Sequence, residues 1–509
     1  MVKMNGKLFL LVLIFSCVAT STGQRTSSQP PNILFLMADQ MRADLLSCTG
    51  NKLSKTPNLD QLATEGVRYT NAFSTTPTCT PARAAILTGL SPWYHGMLGY
   101  GQVANRYNFE MPRALCDGGY YTCSIGKDHF GWNSTANDGI DHGYHQTDLY
   151  DGLENELDNY DRWLTTEQPG VNPMATGLGF NDYRGAAYAL PEYYHPTAWV
   201  GRGATSFIES YNRTDPFFLK VSFHRPHSPY DPPERWMEKF NRDDMPPPYV
   251  GNTWDKEYAQ TYDEPPPPMW NGDIGLDEVK RSRQAYYASA GFVDEWIGKI
   301  LQTLDRKGLR NNTFVFFTAD HGDMMGDHYL WRKGYPYYGS AHVPMLLSWP
   351  PSMDTKVSIK RGTALDVVTE LRDILPTFLD VAGVNIPETI NGSSLLLTLE
   401  KSTPNWREFI DLEHAVVYNE TIHWNALTDG QIKYIFRAYY PDEQLFDLSK
   451  DHMELTNLGS DPQWKSTLLK WRGRMVAQFE KEGRGEEWVK DGVLQRREKT
   501  QVYSPNYPG

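Results

Sequence analysis

Short, uninterrupted apolar runs separated by helical stretches are the feature of this 509-residue sequence that most restricts its fold. Runs of this length without polar–apolar alternation are typical of parallel strands that are buried on both faces of a sheet. Five such runs occupy residues 33–38, 121–125, 217–223, 314–319 and 345–349, and helical patterns occupy residues 58–65, 282–306 and 366–382. Strands that alternate with helices predict an α/β domain, in which helices cover both faces of a large, mostly parallel sheet.

Polar side chains follow four of these apolar runs directly. The four segments are Asp39-Gln40, Gly126-Lys127-Asp128-His129, His224-Arg225-Pro226-His227 and Asp320-His321. In open α/β sheets, ligands bind beyond the carboxyl ends of the strands. The sequence therefore predicts a functional site at this edge of the sheet.

The pattern changes after about residue 400. Residues 424–429 and 433–436 resemble antiparallel strands, and residues 464–481 resemble an amphipathic helix. We therefore predict an α/β domain over residues 31–400 and a smaller C-terminal α+β subdomain over residues 401–509. The proline-rich segments 244–248 and 264–268 are interpreted as surface loops that cover a site.

The first 23 residues have the pattern of a secretory signal peptide. A basic start precedes an apolar run over residues 8–18 and a group of small residues over 19–23. The apolar run is too short to span a bilayer, and no later stretch approaches that length, so no membrane span is expected. Five Asn-x-Ser/Thr sequons follow, at Asn133, Asn212, Asn311, Asn391 and Asn419. Together these features predict a secretory protein, extracellular or lysosomal, with N-glycans at some of these asparagines.

The charge balance is acidic, with 49 Lys and Arg against 62 Asp and Glu, a formal net charge of −13. This argues against a protein that holds nucleic acid by its overall charge. It does not exclude a small anionic substrate, because a few local cations can dominate the potential inside a pocket.

The most specific motif is Cys-x-Pro-x-Arg, formed by Cys79, Pro81 and Arg83. Pro81 suits the first turn of a helix, and the amino end of a helix favours anionic groups. A catalytic thiolate of low pKa is one interpretation of Cys79, and a structural or disulfide-bonded cysteine is the other.

With the following Leu87-Thr88-Gly89, this motif resembles the hallmark of the sulfatase family. Further segments are similar to family blocks in order and spacing: 56–66, 119–129, Asp320-His321-Gly322 with Lys333 and Val343-Pro344, and 445–458. The resemblance implies an alkaline-phosphatase-like fold and hydrolysis of sulfate monoesters. It also implies that the formylglycine-generating enzyme oxidises Cys79 to Cα-formylglycine in the secretory pathway.

The resemblance implies one bound divalent metal, with Ca²⁺ favoured over Mg²⁺. The expected ligands are Asp39, Asp320, His321 and residue 79, and carboxylate oxygens suit a hard cation of this kind. Gln40 stands where the family often has a second aspartate. Its amide oxygen is a candidate ligand with less negative charge.

Catalytic roles are also implied by the resemblance. One hydroxyl of the hydrated aldehyde at residue 79 attacks sulfur with Asp320 as base, the alcohol leaves, and the second hydroxyl then expels sulfate. Arg83 and His129 are expected to support the hydrate, Lys127 and Lys333 to bind sulfate oxygens, and His227, in preference to His224, to protonate the leaving oxygen. Further candidates for a substrate pocket are Asp148, Asp161, Arg225, His342, His423 and Trp424.

Two alternative functions are considered: a phosphodiesterase or phosphonate monoester hydrolase of the same superfamily, and an inactive secreted binding protein on this scaffold. A sulfated carbohydrate is the first expectation for the natural substrate, with aryl sulfates as artificial substrates. If Cys17 leaves with the signal peptide and Cys79 is converted, three cysteines remain. At least one thiol of Cys48, Cys116 and Cys123 is then expected to be free, and a Cys116–Cys123 pair stays possible.

Overall fold

The computed structural model describes residues 30–130, 142–152, 158–173, 175–251, 253–355, 357–400 and 406–509. The predicted signal peptide, Cys17 and the Asn133 sequon lie outside the described residues. In the described part of the chain, no helix combines the length and the apolar character that crossing a bilayer requires.

Helices and strands alternate along most of the chain. The strands are β1 Asn32–Ala38, β2 Val67–Phe73, β3 Tyr121–Gly126, β4 Gln146–Leu149, β5 Phe217–Phe223, β6 Thr313–Thr318, β7 Met345–Ser348, β8 Thr363–Glu370, β9 Ile410–His414, β10 Trp424–Thr428, β11 Ile432–Arg437, β12 Glu443–Asp447, β13 Val489–Lys490 and β14 Val493–Leu494. The helices are α1 Pro57–Glu65, α2 Cys79–Thr88, α3 Pro92–His95, α4 Met111–Asp117, α5 Asn159–Glu167, α6 Pro196–Ser210, α7 Glu234–Met237, α8 Leu276–Arg306, α9 Tyr338–Ala341, α10 Ile374–Ala382 and α11 Lys465–Lys481.

Eight of the described strands form one sheet, in the order β4-β3-β5-β1-β6-β7-β2-β8. Strands β4, β3, β5, β1 and β6 are all parallel, and β2 is parallel to β8. The central strands are buried because helices cover them. The Phe378 ring of α10, for example, lies 5.2–5.9 Å from the rings of Phe35, Phe218 and Phe316 on three adjacent strands. The predicted mostly parallel sheet with covering helices is confirmed.

Two local predictions are wrong. The run at 345–349 was expected to be a parallel strand, but β7 is antiparallel to both β6 and β2. An uninterrupted apolar run indicates a strand that is buried on both faces, and the antiparallel β7 is buried in the same way inside this mixed sheet. Residues 366–382 were expected to form one helix, but residues 363–370 form β8, residues 371–373 form a 3-10 turn, and the α-helix is limited to α10. Exposed and half-buried side chains alternate along the first five residues of β8, as in a strand with one covered face.

The C-terminal part of the chain contributes a separate antiparallel sheet, in the order β12-β11-β10-β9. Helix α11 packs on it through Trp471 and Met475, which share a buried cluster with Tyr434 and Phe436. The predicted antiparallel strands and late helix are confirmed. The division at residue 400 stays a prediction.

The parallel strands β3, β5, β1 and β6 are neighbours, so their carboxyl ends meet at one edge of the sheet. The polar segments at residues 39–40, 126–129, 224–227 and 320–321 lie at or just after the ends of these four strands. The fold therefore brings those segments together.

Candidate active site

Cys79 is the first residue of α2, and its side chain is buried at the carboxyl edge of the large sheet. Pro81 lies in the first turn, a run of alanine and aliphatic residues continues the helix, and Gly89 ends it in a left-handed conformation. Every residue of α2 is buried. The amino end of a buried helix is a favourable place for an anionic or anion-binding group.

Asp39, Cys79, Asp320 and His321 form a buried group whose ligand atoms all lie within 4.8 Å of one another. The Cys79 Sγ atom is 3.2 Å from Nε2 of His321 and 3.9 Å from Oδ1 of Asp39. The Nδ1 atom of His321 donates to the carbonyl of Gly322, which leaves Nε2 directed into the group. Two carboxylates and a ring nitrogen are a donor set that fits a divalent metal ion.

Gln40 lies beside this group with its amide orientation determined by two partners. Its Nε2 donates to Oδ2 of Asp323 at 2.5 Å, and its Oε1 accepts from Nζ of Lys333 at 2.7 Å. Its backbone N–H donates to Oδ1 of Asp320. The amide oxygen therefore faces the ammonium of Lys333, which also contacts Cys79.

Three buried cations surround these carboxylates. Lys127 forms an ion pair with Asp39, and Lys333 Nζ lies 3.4 Å from Sγ of Cys79. Lys127 Nζ lies 3.8 Å from the same sulfur. Arg83 binds Asp320 at 2.9 Å, and its NH1 donates to the carbonyl of Lys127.

The local charges favour an anion at residue 79. Burial and Asp39 raise the pKa of the Cys79 thiol, but Lys127, Lys333 and His321 outweigh them and hold that pKa well below its usual range. The arrangement stabilises negative charge where the sulfur now lies.

The two carboxylates differ in their electrostatic environment. Burial raises the pKa of Asp39, but the nearby Lys127, His227 and Lys333 bring it well below its usual range. The pKa of Asp320 is raised, first by burial and then by the negative charge of Asp39.

His227 lies in direct contact with Lys333, whereas His224, three residues earlier in the same loop, contacts Arg225. The Nδ1 atom of His227 donates to the carbonyl of Ser228, and its Nε2 accepts from Nζ of Lys333 at 2.6 Å. His224 contacts Arg225 through Nδ1 at 2.7 Å. The ring of Phe180 covers His227, with centroids 4.8 Å apart.

His129 lies in the loop after β3 with a left-handed backbone, φ 54°. Its N–H donates to Oδ1 of Asp151, and its Nε2 lies 3.4 Å from the hydroxyl of Tyr100. Burial and then the nearby charge of Cys79 raise the pKa of the Tyr100 hydroxyl, so Tyr100 lies beside the site and His129 contacts it.

The side chains of the six further pocket candidates form hydrogen bonds or ion pairs with neighbouring parts of the fold. Asp161 belongs to the capping box of α5, Arg225 pairs with Asp231, and His342 and His423 bind backbone carbonyls. Asp148 accepts from Gln146, and Trp424 donates to the carbonyl of Gly334, next to Lys333. None of the six belongs to the buried donor group.

Several residues around the site were not anticipated from the sequence: Tyr100, Asp151, Phe180, Asp323, Arg332 and Tyr418. Asp323 and Arg332 could have been found, because each is close in sequence to a predicted site residue. The others come from loops distant in the chain, and no local pattern marks them.

None of the four cysteines among the described residues forms a disulfide: Cys48, Cys79, Cys116 and Cys123. The possible Cys116–Cys123 pair is therefore not formed, and free thiols remain outside the site, as expected from the cysteine count.

Comparisons with known proteins agree with this geometry. The family profile named Sulfatase matches residues 31–384, and one named N-sulphoglucosamine sulphohydrolase, C-terminal, matches residues 326–481. An arylsulfatase of Clostridium perfringens is 36% identical over 91% of this chain and 96% of its own length. A choline-sulfatase of Rhizobium meliloti is 30% identical over 89% of this chain and 87% of its own. The structure of a phosphonate monoester hydrolase of Agrobacterium radiobacter aligns with a TM-score of 0.73 and 26% identity, covering 89% of this chain and 96% of that one.

Proposed function

Because this chain belongs to the sulfatase family of sulfuric ester hydrolases, we propose that it cleaves sulfate monoesters with a formylglycine at position 79 and a bound divalent metal. The observation that carries the proposal is the position of Cys79. It begins a buried helix and lies within reach of two carboxylates, a histidine and two lysines.

The metal would be held by Asp39, Gln40, Asp320, His321 and residue 79, and Ca²⁺ suits this oxygen-rich set better than Mg²⁺. When bound, it supplies positive charge that neutralises sulfate oxygens. The fit rests on the chemistry of the donors and on the direction of the Gln40 amide oxygen.

Lys127 and Lys333 bind the sulfate oxygens from two sides. Both ammonium groups lie within 4 Å of the Cys79 sulfur, so a sulfate held between them has its sulfur atom next to residue 79. Preorganised cations of this kind stabilise the charge that develops in the transition state. Arg83 positions two groups of the site: it donates to the Asp320 carboxylate and to the backbone carbonyl of Lys127.

The hydrated aldehyde of formylglycine supplies one hydroxyl for attack on sulfur and a second for the release of sulfate. Asp320 accepts the proton of the attacking hydroxyl. His129, in contact with Tyr100, supports residue 79.

His227 protonates the alcohol oxygen as its bond to sulfur breaks. The ring nitrogen that faces the site, Nε2, is the one in contact with Lys333. Because Nδ1 donates to the carbonyl of Ser228, the transferred proton must be carried at Nε2, and the Lys333 ammonium that donates to Nε2 supplies it, so that the proton passes from Lys333 through His227 to the leaving oxygen.

A sulfated carbohydrate is the proposed substrate class, and a secretory route, extracellular or lysosomal, is the proposed location. The sequons at Asn212, Asn311, Asn391 and Asn419 support that route because each asparagine is exposed. The formylglycine-generating enzyme is the proposed maturation partner. We retain residues 31–400 and 401–509 as the proposed domain and subdomain.

The test is to produce the protein together with the formylglycine-generating enzyme and to examine the peptide that contains Cys79 by mass spectrometry. We expect an aldehyde at position 79 and turnover of nitrophenyl sulfate, and we expect both to be absent in Cys79→Ala. Turnover by a protein whose Cys79 remains an unmodified thiol would refute the mechanism.

A second candidate activity is phosphonate monoester or phosphodiester hydrolysis, which the aligned phosphonate monoester hydrolase favours. Lys127 and Lys333 offer positive charge to any tetrahedral anion. Values of kcat/KM for nitrophenyl sulfate, a nitrophenyl phosphodiester and a nitrophenyl phosphonate separate the two activities, and the fastest substrate identifies the main one. The alternative of an inactive binding protein is set aside, because the chain is a sulfuric ester hydrolase.

A further inference from the structure

Arg332 directly precedes Lys333, and its backbone is held in an uncommon conformation. Its φ is 67°, in the left-handed region that a non-glycine residue seldom adopts. Its N–H donates to Oδ1 of Asp323 at 3.1 Å, and its carbonyl accepts from Met324 at 2.7 Å. A conformation of this kind, on the order of 1 kcal/mol unfavourable, persists where its surroundings determine it, and functional sites are common among such places.

The guanidinium of Arg332 lies on an aromatic platform. It is 4.6 Å from the ring centroid of Tyr418, which is itself stacked on Trp270 with an interplanar angle of 15°. The Tyr418 hydroxyl accepts from the backbone N–H of Lys333, so the platform is attached to the sulfate-binding segment. Stacking limits the freedom of the arginine and leaves its edge available for an anion.

Arg332 has no carboxylate partner among the described residues, unlike the other arginines around the site. Its NH1 donates to the carbonyl of Pro268, and its Nε is buried without a hydrogen-bond acceptor in the described part of the chain. By contrast, Arg83 binds Asp320 and Arg225 binds Asp231. A buried donor without an acceptor is unfavourable unless a ligand or water completes it.

The positive charge of Arg332 affects the pKa of two groups that line the site, Lys333 and Tyr100. The pKa of Lys333 is lowered, first by burial, with Lys127 and Arg332 contributing. Burial, Cys79 and Asp39 raise the pKa of the Tyr100 hydroxyl, and Arg332 acts against them. Tyr100 is thus close enough to respond both to residue 79 and to Arg332.

We propose that Arg332, held on the Tyr418 platform, binds a second anionic group of the substrate, a carboxylate or a second sulfate, next to the ester that is cleaved. The inference rests on the proposed sulfate ester hydrolysis and deepens it. A guanidinium presents paired N–H donors that match carboxylate and sulfate oxygens. On a chain of net charge −13, this cation at the site selects for a doubly anionic substrate and against a cationic one.

The test compares phenyl sulfates that carry a carboxamide, a carboxylate, a second sulfate or a trimethylammonium group at the same ring position. Each substrate is measured with the matured wild-type enzyme, Arg332→Gln and Arg332→Lys. The control is Arg213→Gln, because Arg213 is exposed and pairs with Asp215 near the start of β5, at the opposite edge of the sheet. Melting temperatures verify that each variant folds.

We expect Arg332→Gln to lower kcat/KM about tenfold or more for the anionic substrate that fits, mainly through KM, and less than about threefold for the carboxamide. The trimethylammonium substrate should improve, and Arg332→Lys should keep part of the preference. The arm with the larger loss identifies the anion as carboxylate or sulfate.

Equal losses on all four substrates, or none, would overturn the role of Arg332. Failure of the wild-type enzyme to hydrolyse even the carboxamide-substituted sulfate would instead contradict the proposed function.

Discussion

His227 accepts a hydrogen bond at Nε2 from the ammonium of Lys333, across 2.6 Å, while its Nδ1 donates to the carbonyl of Ser228. The ring is therefore oriented by its backbone partner, and the nitrogen that remains faces a cationic donor. Lys333 also lies 3.4 Å from the Cys79 sulfur. One lysine thus joins the proposed acid to the proposed nucleophile.

We expect His227→Ala to lower kcat about 100- to 10,000-fold on an alkyl sulfate, because an alkoxide leaves poorly without a proton. Nitrophenyl sulfate should lose far less, since nitrophenolate is a good leaving group. The measurement is kcat for both esters with matured enzyme. His224→Ala is the control, because His224 contacts Arg225 rather than Lys333. Equal losses on both esters would indicate that His227 only positions its neighbours.

Calcium should stabilise the folded protein, because two buried carboxylates, Asp39 and Asp320, face one another in the donor group. At about 100 times the dissociation constant, a ligand of the native state adds about 2.7 kcal/mol to the free energy of unfolding. We expect a rise in melting temperature with Ca²⁺, a smaller one with Mg²⁺, and a weak response in Asp320→Asn. Asp263→Asn, at an exposed loop position, should respond like wild type. Identical responses of both variants would place the ion elsewhere.

Asp294 on α8 should make stability depend on pH. Its carboxylate accepts the N–H groups of Asn58 and Leu59 at the start of α1, and its pKa is raised to about 7, first by burial. A carboxyl whose folded pKa is raised above its unfolded value of 3.8 destabilises the fold increasingly as pH rises from about 4 to about 7.

We therefore expect Asp294→Asn to gain stability relative to wild type over that interval, by up to about 4 kcal/mol, even if lost hydrogen bonds make it less stable overall. Denaturant unfolding at pH 4.5 and pH 8 measures this change. Asp305→Asn, at an exposed position near the end of the same helix, should show no such change. A difference between wild type and Asp294→Asn that stays constant with pH would contradict the prediction.

The segment around residues 502–507 should hold the loop that carries Tyr100. Leu98 donates to the carbonyl of Val502, and the Gln102 N–H donates to the hydroxyl of Tyr503 at 2.7 Å. Gly101 in this loop donates to Thr80, next to Cys79.

We expect removal of residues 502–509 to raise KM for nitrophenyl sulfate several-fold, because Tyr100 loses its support, while the large sheet stays folded. Circular dichroism and steady-state kinetics test this. The matched control is Gln501→Ala, since that side chain is exposed. An unchanged KM in the shortened chain would show that the loop of Tyr100 keeps its conformation without residues 502–509.

Much of the core could be predicted from the sequence because its signals are local. Five apolar runs become strands of one sheet, and for the four that are parallel the residues that follow, including Asp39, Lys127 and Asp320, are placed at one edge by the parallel pairing. The antiparallel direction of β7 and the strand β8 escaped prediction: β7 is defined by its pairing with β6 and β2, and β8 by its pairing with β2, a partner distant in the chain.

The sequence by itself determined the family and the α/β class, and it named the candidate site residues, since these are expressed in motifs and in hydrophobic pattern. Only the tertiary structure decided how those residues meet. It set Lys333 between His227 and Cys79, directed the Gln40 amide through Asp323, and placed Arg332 on the ring of Tyr418. Such contacts join residues tens to hundreds of positions apart, and their distances follow from packing of whole elements, which no local pattern records.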